Sequence, residues 1–242
     1  MAALKHWLLQ IALALIIFFG FLRPYVVEAF RIPTPSMEST LLVGDHILVL
    51  KALYGQRVPY ADVLAPPAGG LRGEPGMGRL LPACGELHRG DIVVFRYPVD
   101  LERDFIKRCV ALPGDTVLVR NDTLYVNGSP SEYATGFQDR MQANPIDASW
   151  PASLRLLVGR VEELRYDELA RGCVMLESGD VAYVVPEGCC FAMGDNRDHS
   201  NDSRVWGPLS LDLIKGRALV TYWSWMPGEG LPKLDRVARV LR

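Results

Sequence analysis

An almost entirely apolar run opens the chain. Residues 7–22, WLLQIALALIIFFGFL, contain no charge, and Lys5 and Arg23 stand on either side of them. The run is slightly shorter than the ~20 residues of a typical membrane helix, but longer than the core of a typical signal peptide. We therefore predict a transmembrane anchor over residues 7–23, preceded by a short segment, 1–6. The competing interpretation is a cleaved signal peptide, for which Val27-Glu28-Ala29 offers a small-x-small cleavage pattern.

From about residue 45 the pattern changes to short alternating runs separated by turn residues. Alternation with a period of two predicts strands with one buried face, and Asn121-Asp122 between two such runs indicates a hairpin. We expect residues 24–242 to form a mainly β domain, an antiparallel sheet or a barrel-like closed sheet. The predicted strands are 47–50, 91–97, 105–112, 116–120, 123–126, 181–185, 190–193 and 218–223.

Two stretches interrupt the strands. Residues 53–88 contain Pro66-Pro67, Gly69-Gly70 and Pro75-Gly76, a composition typical of loops. Residues 130–175 form a longer interruption, in which 152–169 has the pattern of a helix. We predict that both are insertions on the surface of the domain and not separate domains.

Composition and charge exclude several classes of protein. The 242 residues are 49% hydrophobic and 22% charged, which is enough for one sizeable core. A formal net charge of −2 gives no electrostatic reason to expect a nucleic-acid partner. The five cysteines include no Cys-x-x-Cys pair, so we expect small buried side chains with at most one disulfide, no metal site and no cofactor.

Three polar segments carry candidate chemistry. Gly194–Arg204, GDNRDHSNDSR, is dense in charges and hydroxyls yet lies between apolar runs, so a packed domain must hold it at a site. The other two contain Lys107 and Ser36. A lysine can deprotonate a serine only if desolvation or a nearby cation lowers its pKa. Alternation places Lys107 on the same strand face as Phe105 and Cys109, whose apolar side chains would desolvate the amine.

Taken singly, these segments have ordinary structural explanations. Lys107 could be one of several basic residues on an exposed strand, and Ser36 could belong to a proline-rich linker beside a membrane. The three segments together favour a serine protease that uses lysine as its base.

Together the segments resemble the type I signal peptidases, serine proteases with a Ser/Lys pair. The resemblance covers about residues 30–128 and 181–223, and it implies the family's β-sheet catalytic domain. Ser39 stands where the family box has proline, which we expect to loosen the turn after Ser36 without removing a reacting group. The matching boxes are SMESTL (36–41) with GDHILV (44–49), RDFIKR (103–108) with LPGD (112–115), and GDNRDHSNDSR (194–204).

The resemblance implies a role for each matching residue. Ser36 is the expected nucleophile, Lys107 the general base, and Ser200 the residue that orients the lysine amine. The backbone N–H of Ser36 and the hydroxyl of Thr34 are the expected oxyanion hole. The expected supporting residues are Asp195, Asn196, Arg197, Asp202 and Arg204, and the expected apolar pocket walls, by adjacency to the boxes, are Ile32, Pro33, Met37, Leu41, Phe105 and Ile106.

The resemblance also implies the substrate and the compartment. The substrates would be signal peptides of exported preproteins, bound as extended strands and cleaved after small residues at −1 and −3, as in Ala-x-Ala. The protein would span the bacterial cytoplasmic membrane once, in contact with lipid. Its N-terminus would be cytoplasmic and its catalytic domain periplasmic or extracellular.

Two alternatives remain open from the sequence. The same Ser/Lys arrangement occurs in pilus-assembly peptidases and in self-cleaving repressors, although a repressor would need a DNA-binding region where this chain has its apolar run. A membrane-tethered β-rich binding module or pseudoenzyme would keep the scaffold without catalysis. Ser36→Ala separates the two classes, because a binding module would keep its partner whereas an enzyme would lose turnover.

Overall fold

The computed structural model describes residues 2–54, 56–57, 79–81, 83–120, 123–133, 172–226, 228 and 230–241. Antiparallel strands dominate these residues, which confirms the mainly β prediction. The strands are β1 (Val27–Arg31), β2 (Asp45–Leu50), β3 (Gln56–Arg57), β4 (Arg79–Leu81), β5 (Ile92–Tyr97), β6 (Asp100–Ala111), β7 (Thr116–Arg120), β8 (Thr123–Val126), β9 (Ser129–Pro130), β10 (Cys173–Met175), β11 (Val181–Val184), β12 (Cys189–Met193), β13 (Leu209–Ser210), β14 (Ile214–Ser224) and β15 (Arg239–Val240).

Helices are few in the described part of the chain. They are α1 (Ala2–Ile17), a π-helix (Phe18–Val26), α2 (Ser203–Trp206) and the 3₁₀ turns Pro35–Met37, Ala52–Tyr54, Arg197–His199, Leu211–Leu213 and Leu234–Arg236.

The predicted membrane helix over 7–23 is divided at Ile17, where α1 gives way to the π-helix. Every large apolar side chain from Trp7 to Phe19 is exposed. α1 has 16 residues, whereas a span needs about 20. Among the described residues, no helix combines the length and the apolar character needed to cross a membrane.

The strands form two main sheets. The larger has the order β1-β2-β14-β5-β6-β12-β13, with β15 also paired to β14, and the smaller has the order β10-β11-β7-β8-β9. β3 and β4 form a separate pair. In the described residues the larger sheet ends at β1 and β13, which do not pair, so the barrel-like closure is not formed. Alternation along one strand indicates its buried face and not its neighbours, which is why the sequence could not decide this point.

β14 is nearly twice as long as the strand predicted over 218–223. Its register shifts against β2 and β5, and each bulge changes which side chains face the core, so the simple alternation is lost. At one shift lies Gly216, where an added Cβ would stand 2.5 Å from the carbonyl oxygen of Leu50. The close approach of β2 therefore requires glycine at this position.

Two hydrophobic clusters flank β6 and position the candidate site. Ile106 belongs to one and Cys109 to the other, so the strand is packed on both faces around Lys107. The first cluster contains Ile32, Met37, Leu41, Ile47, Val49, Ile92, Val94, Ile106, Ala218 and Leu241. The second contains Val93, Phe95, Tyr97, Cys109, Cys190, Ala192, Trp206, Leu209 and Ile214.

The two predicted insertions lie largely outside the described residues. Within 53–88 the structure describes residues 53–54, the pair β3 and β4, and residues 83–88, and within 130–175 it describes 130–133 and 172–175. The helix predicted over 152–169 lies outside the described residues. The boundaries of the two insertions stay predictions. The same holds for the boundaries of the N-terminal segment 1–6, the anchor 7–23 and the catalytic domain 24–242.

Candidate active site

Ser36 lies in the 3₁₀ turn Pro35–Met37, shortly after β1. Pro35 begins the turn, where its fixed φ suits the helical backbone and its missing N–H leaves no donor unsatisfied. Met37 and Leu41 are fully buried, whereas Ser36 keeps 8% of its surface exposed. The core thus anchors the turn and leaves the serine hydroxyl reachable.

Ser39 has a backbone conformation that proline cannot adopt. Its φ is +87°, in the left-handed region, whereas the proline ring fixes φ near −65°. This backbone therefore excludes proline at position 39, whereas a loosening of the turn by serine stays a prediction. The turn after Ser36 needs a residue that can adopt a positive φ.

Lys107 contacts the serine directly. Its Nζ lies 2.6 Å from Ser36 Oγ and donates a further hydrogen bond of 2.9 Å to the carbonyl oxygen of Ile106. The two side chains come from segments 71 residues apart. Only 3% of Lys107 is exposed, because β5 and β12 pair with β6 on either side and the two clusters cover its faces.

Burial lowers the pKa of the Lys107 ammonium from 10.5 to about 8. Asp202 and Asp195 oppose this effect because their negative charges favour the protonated amine, while Arg204 adds to the lowering. A neutral amine is therefore accessible near neutral pH. Such an amine can accept the proton of the serine hydroxyl with which it is in contact.

Thr34 stands beside the serine. Its Oγ1 lies 3.5 Å from Ser36 Oγ, and its side chain faces solvent. A hydroxyl at this distance can donate to an oxygen bound next to the nucleophile. The structure thus brings together three of the residues selected from the sequence: Thr34, Ser36 and Lys107.

Asp195 connects the segment 194–204, which we call the last box, to β6, the strand that carries Lys107. Arg108 donates two hydrogen bonds to its carboxylate, of 2.8 Å from Nε and 2.7 Å from Nη2, and Thr40 Oγ1 donates a third of 2.6 Å. Arg108 and Asp195 are both buried. Bidentate geometry of this kind fixes the relative position of two chain segments as well as pairing their charges.

Asp202 and Arg204 form a second buried pair, with two hydrogen bonds of 2.8 Å. Burial raises the pKa of Asp202, but Arg204 and the Gly194 N–H outweigh it, so this pKa lies below its usual range. Arg197 Nε donates to the carbonyl oxygen of Gly194 at 2.9 Å, and Arg204 donates to that of Arg197 at 2.6 Å. These hydrogen bonds lie within the last box and stabilise the conformation of this loop.

Asn196 connects that loop to the nucleophile turn. Its backbone N–H donates to the carbonyl oxygen of Ser36 at 3.2 Å. Its Nδ2 donates to the carbonyl oxygen of Pro35 at 3.2 Å and to Glu38 Oε2 at 3.3 Å. The last box therefore holds the turn that carries the serine.

Ser200 lies at the site, but its hydroxyl does not form the expected hydrogen bond with the Lys107 amine. Its hydroxyl is buried near Asp202 and, among the described residues, has no hydrogen bond of good geometry. Gly194 stands against it, since an added Cβ would be 2.2 Å from Ser200 Oγ and 2.4 Å from the carbonyl oxygen of Ser36. Gly194 is a residue to which sequence reasoning gave no role, although it opens the most polar segment of the chain.

The predicted pocket walls divide into two groups. Ile32, Met37, Leu41 and Ile106 are buried in the first cluster, so they support a pocket from behind. Pro33 is exposed and Phe105 is half-buried, so these two can contact a ligand. Ile32 and Pro33 also line an open cavity of about 490 Å³ with Arg31, Val43 and Met226.

The structure also contains an ion pair that no local pattern in the sequence indicates. Arg236 Nε and Nη2 donate to the buried carboxylate of Asp45 at 3.1 and 2.5 Å, and Nη2 also donates to the carbonyl oxygen of Thr40 at 3.0 Å. Asp45 and Arg236 are 191 residues apart. The C-terminal segment thereby holds the loop that follows Ser36.

Comparison with known proteins places the chain in a family. The family model described as signal peptidase, peptidase S26, matches residues 4–223. Signal peptidase I of Pseudomonas aeruginosa is 35% identical over 236 residues, which cover 90% of this chain and 72% of that protein. The Pseudomonas fluorescens signal peptidase I is 37% identical with the same coverages, and that of Aquifex aeolicus is 33% identical, covering 84% of this chain and 78% of that protein.

A crystal structure of a signal peptidase I from Enterococcus faecalis is 26% identical and aligns over 55% of this chain and 96% of that chain. Its TM-score of 0.35 is too low to support a conclusion about the fold. The family model and the relatives suffice, because they match most of the chain at identities above 30%. The chain belongs to the signal peptidase family, peptidase S26, and is a serine peptidase of that family.

Proposed function

We propose that this chain removes signal peptides from exported preproteins, with Ser36 as nucleophile and Lys107 as general base. The single observation that carries the proposal is the 2.6 Å contact between Lys107 Nζ and Ser36 Oγ, made by an amine whose pKa burial lowers to about 8. Proximity of a serine to a base whose neutral form is accessible near neutral pH is what a lysine-dependent serine protease requires.

The reaction proceeds by acyl transfer. Neutral Lys107 takes the proton from Ser36 as Oγ attacks the scissile carbonyl carbon, and the ammonium then gives a proton to the leaving amine as the peptide bond breaks. Lys107 next deprotonates a water molecule, which attacks the ester carbonyl. The ester bond to Oγ breaks, Ser36 regains a proton from Lys107, and the signal peptide leaves with a new carboxylate.

Hydrogen-bond donors must stabilise the negative charge that develops on the carbonyl oxygen of the substrate. The Ser36 N–H and the Thr34 hydroxyl, 3.5 Å from Ser36 Oγ, are the proposed oxyanion hole. Asp195, Asn196, Arg197, Asp202 and Arg204 are proposed to hold this arrangement rigid, and Ser200 to orient the amine once substrate is bound.

The substrate is proposed to bind as an added strand with small residues at −1 and −3. β1, which leads to the nucleophile, is an edge strand of the larger sheet in the described residues, so backbone groups of an extended peptide can pair beside it. Pro33 and Phe105 would contact the substrate side chains, with Ile32, Met37, Leu41 and Ile106 behind them.

We also propose that residues 7–23 anchor the protein in the bacterial cytoplasmic membrane, with the catalytic domain on the periplasmic or extracellular side. A helical segment that carries no charge and exposes its large apolar side chains from Trp7 to Phe19 is expected in lipid and not in water. Signal peptides are themselves held in the bilayer by their apolar cores. A protease tethered to the same surface meets them at high effective concentration.

The test is cleavage of a preprotein with an Ala-x-Ala site by the detergent-solubilised full chain, with the new N-terminus sequenced. Wild type is expected to cut after the small residue, and Ser36→Ala and Lys107→Ala to lose at least about a thousand-fold in rate. Lys215→Ala, which removes an amine paired with Asp104 outside the site, is the matched control and should stay active. Full activity of Lys107→Ala would refute the proposed base. Binding of the preprotein without cleavage by wild type would favour a binding module.

A further inference from the structure

Four aromatic rings pack together behind the Ser36–Lys107 pair. Tyr97 and Phe105 are stacked, with centroids 4.2 Å apart and planes inclined by 8°. Phe95 and Trp206 enclose them: Trp206 is 6.4 Å from Tyr97 and 5.7 Å from Phe95, and Phe95 is 6.4 Å from Phe105. We call these four residues the aromatic cluster.

Phe105 is the member of the aromatic cluster that reaches the site. Lys107 Nζ lies 5.5 Å from the centre of its ring, and the same Nζ contacts Ser36 Oγ. Phe105 is half-buried, whereas Tyr97 is 9% exposed and Phe95 and Trp206 are 0% and 1% exposed. The accessible part of the Phe105 ring is therefore available to a substrate side chain bound next to the Ser36–Lys107 pair.

Tyr97 restricts the movement of the Phe105 ring. A near-parallel stack at 4.2 Å leaves no room for the ring to tilt or withdraw, so its rotamer is fixed from behind. The hydroxyl of Tyr97 accepts a hydrogen bond of 3.3 Å from Asn201 Nδ2, beside Ser200 in the last box. Tyr97 thus joins the wall formed by Phe105 to the loop that holds the nucleophile turn.

We propose that Tyr97 is a positioning residue for substrate selection: by stacking on Phe105 it fixes the pocket wall that admits only small side chains at −1. The proposal rests on the proposed function of this site. Without the stack the Phe105 ring could swing into the vacated space, and the pocket would deepen by the volume that a larger side chain needs. A change in pocket depth by the length of one or two methylene groups changes the ratio of kcat/KM between a small and a larger side chain at −1 by about ten-fold or more.

The test measures a ratio of two rates in the same preparation. Full-length wild type, Tyr97→Leu and Tyr97→Phe cleave two preprotein peptides that differ only in Ala or Val at −1, and kcat/KM is obtained for each. Tyr97→Leu is expected to lower the Ala-to-Val ratio at least about ten-fold. Tyr97→Phe keeps the stack and should hold the ratio within about two-fold of wild type. A fraction of misfolded protein lowers both rates equally and leaves the ratio unchanged.

The matched control is Tyr125→Leu, which makes the same change at a half-buried tyrosine of β8 in the smaller sheet. Its ratio should equal that of wild type. An unchanged ratio in Tyr97→Leu would overturn the proposal, and so would a Tyr97→Phe ratio as low as that of Tyr97→Leu, because the hydroxyl and not the stack would then set selectivity. Failure of wild type to cut either peptide would instead count against the proposed function.

Phe105→Leu keeps the test decisive if Tyr97→Leu does not fold. Because Tyr97 acts through the Phe105 ring, Phe105→Leu should lower the Ala-to-Val ratio to a similar extent, and a ratio equal to wild type would overturn the proposal. Where both single variants fold, the double variant should lower the ratio no further than either alone, since the two changes remove one interaction.

Discussion

At the scale of single residues, the chemistry of Lys107 comes from its surroundings. A lysine amine in water is protonated at neutral pH and cannot accept a proton from serine. Here burial lowers its pKa to about 8, even though Asp195 and Asp202 act in the opposite direction. The amine is kept within hydrogen-bonding distance of Ser36 while water is kept away from it.

This pKa sets the expected pH dependence of cleavage. The neutral amine is the active form, so kcat/KM should rise with pH and reach half of its plateau near pH 8. Activity is lost as pH falls through that value, because protonation of Lys107 removes the base. The measurement is kcat/KM of the full chain from about pH 6 to about pH 10, with circular dichroism at each pH as a control for folding. A midpoint near 10.5, the ordinary lysine value, would contradict a desolvated base.

At the scale of single elements, the turn after Ser36 restricts which residues can stand at position 39. Met37 and Leu41 tie the turn to the core, and Asn196 ties it to the last box. Between these fixed points Ser39 takes the left-handed conformation, with φ of +87°. The element as built depends on a residue that can have a positive φ, although the family's box has proline at this place.

Ser39→Pro should therefore not improve this protein. Proline cannot reach φ of +87°, so the turn must rearrange, and we expect a loss of more than about 1 kcal/mol in unfolding free energy together with lower activity. Ser39→Gly, which accepts the conformation without strain, should be at least as stable as wild type. Thermal unfolding of the full chain with cleavage assays compares the two. A Ser39→Pro variant with a raised Tm and full activity would show that the turn can follow the other path.

Across the whole molecule, the C-terminal segment supports the nucleophile loop. Arg236 neutralises the buried Asp45 and also binds the carbonyl oxygen of Thr40. Burial raises the pKa of Asp45, but hydrogen bonds from Arg236, Ser224 and Leu42 hold it below its usual range. A charge that is fully buried needs such a partner, and the chain supplies it from the opposite end.

Arg236→Met should be strongly destabilising, because it leaves the Asp45 carboxylate buried and unpaired. We expect a loss of about 3–5 kcal/mol in unfolding free energy and a marked fall in cleavage rate. Arg239→Met, at an exposed position of β15 in the same segment, is the matched control and should change stability by less than about 0.5 kcal/mol. Adding Asp45→Asn should recover part of the loss in Arg236→Met. No recovery would mean that Arg236 acts chiefly through the Thr40 carbonyl.

The sequence by itself determined the antiparallel β class, because alternation is a local property that each strand carries alone. It also placed Lys107 on a strand beside Phe105, and it selected Thr34, Ser36 and Lys107, which the structure brings together. Only the tertiary structure decided whether the sheet closes, how β14 bulges, and that Ile32, Met37, Leu41 and Ile106 are core residues. The same is true of the left-handed Ser39 and the Asp45–Arg236 pair. Burial, pKa and pairing depend on distant segments that pack against a residue, and no local pattern records which segments those are.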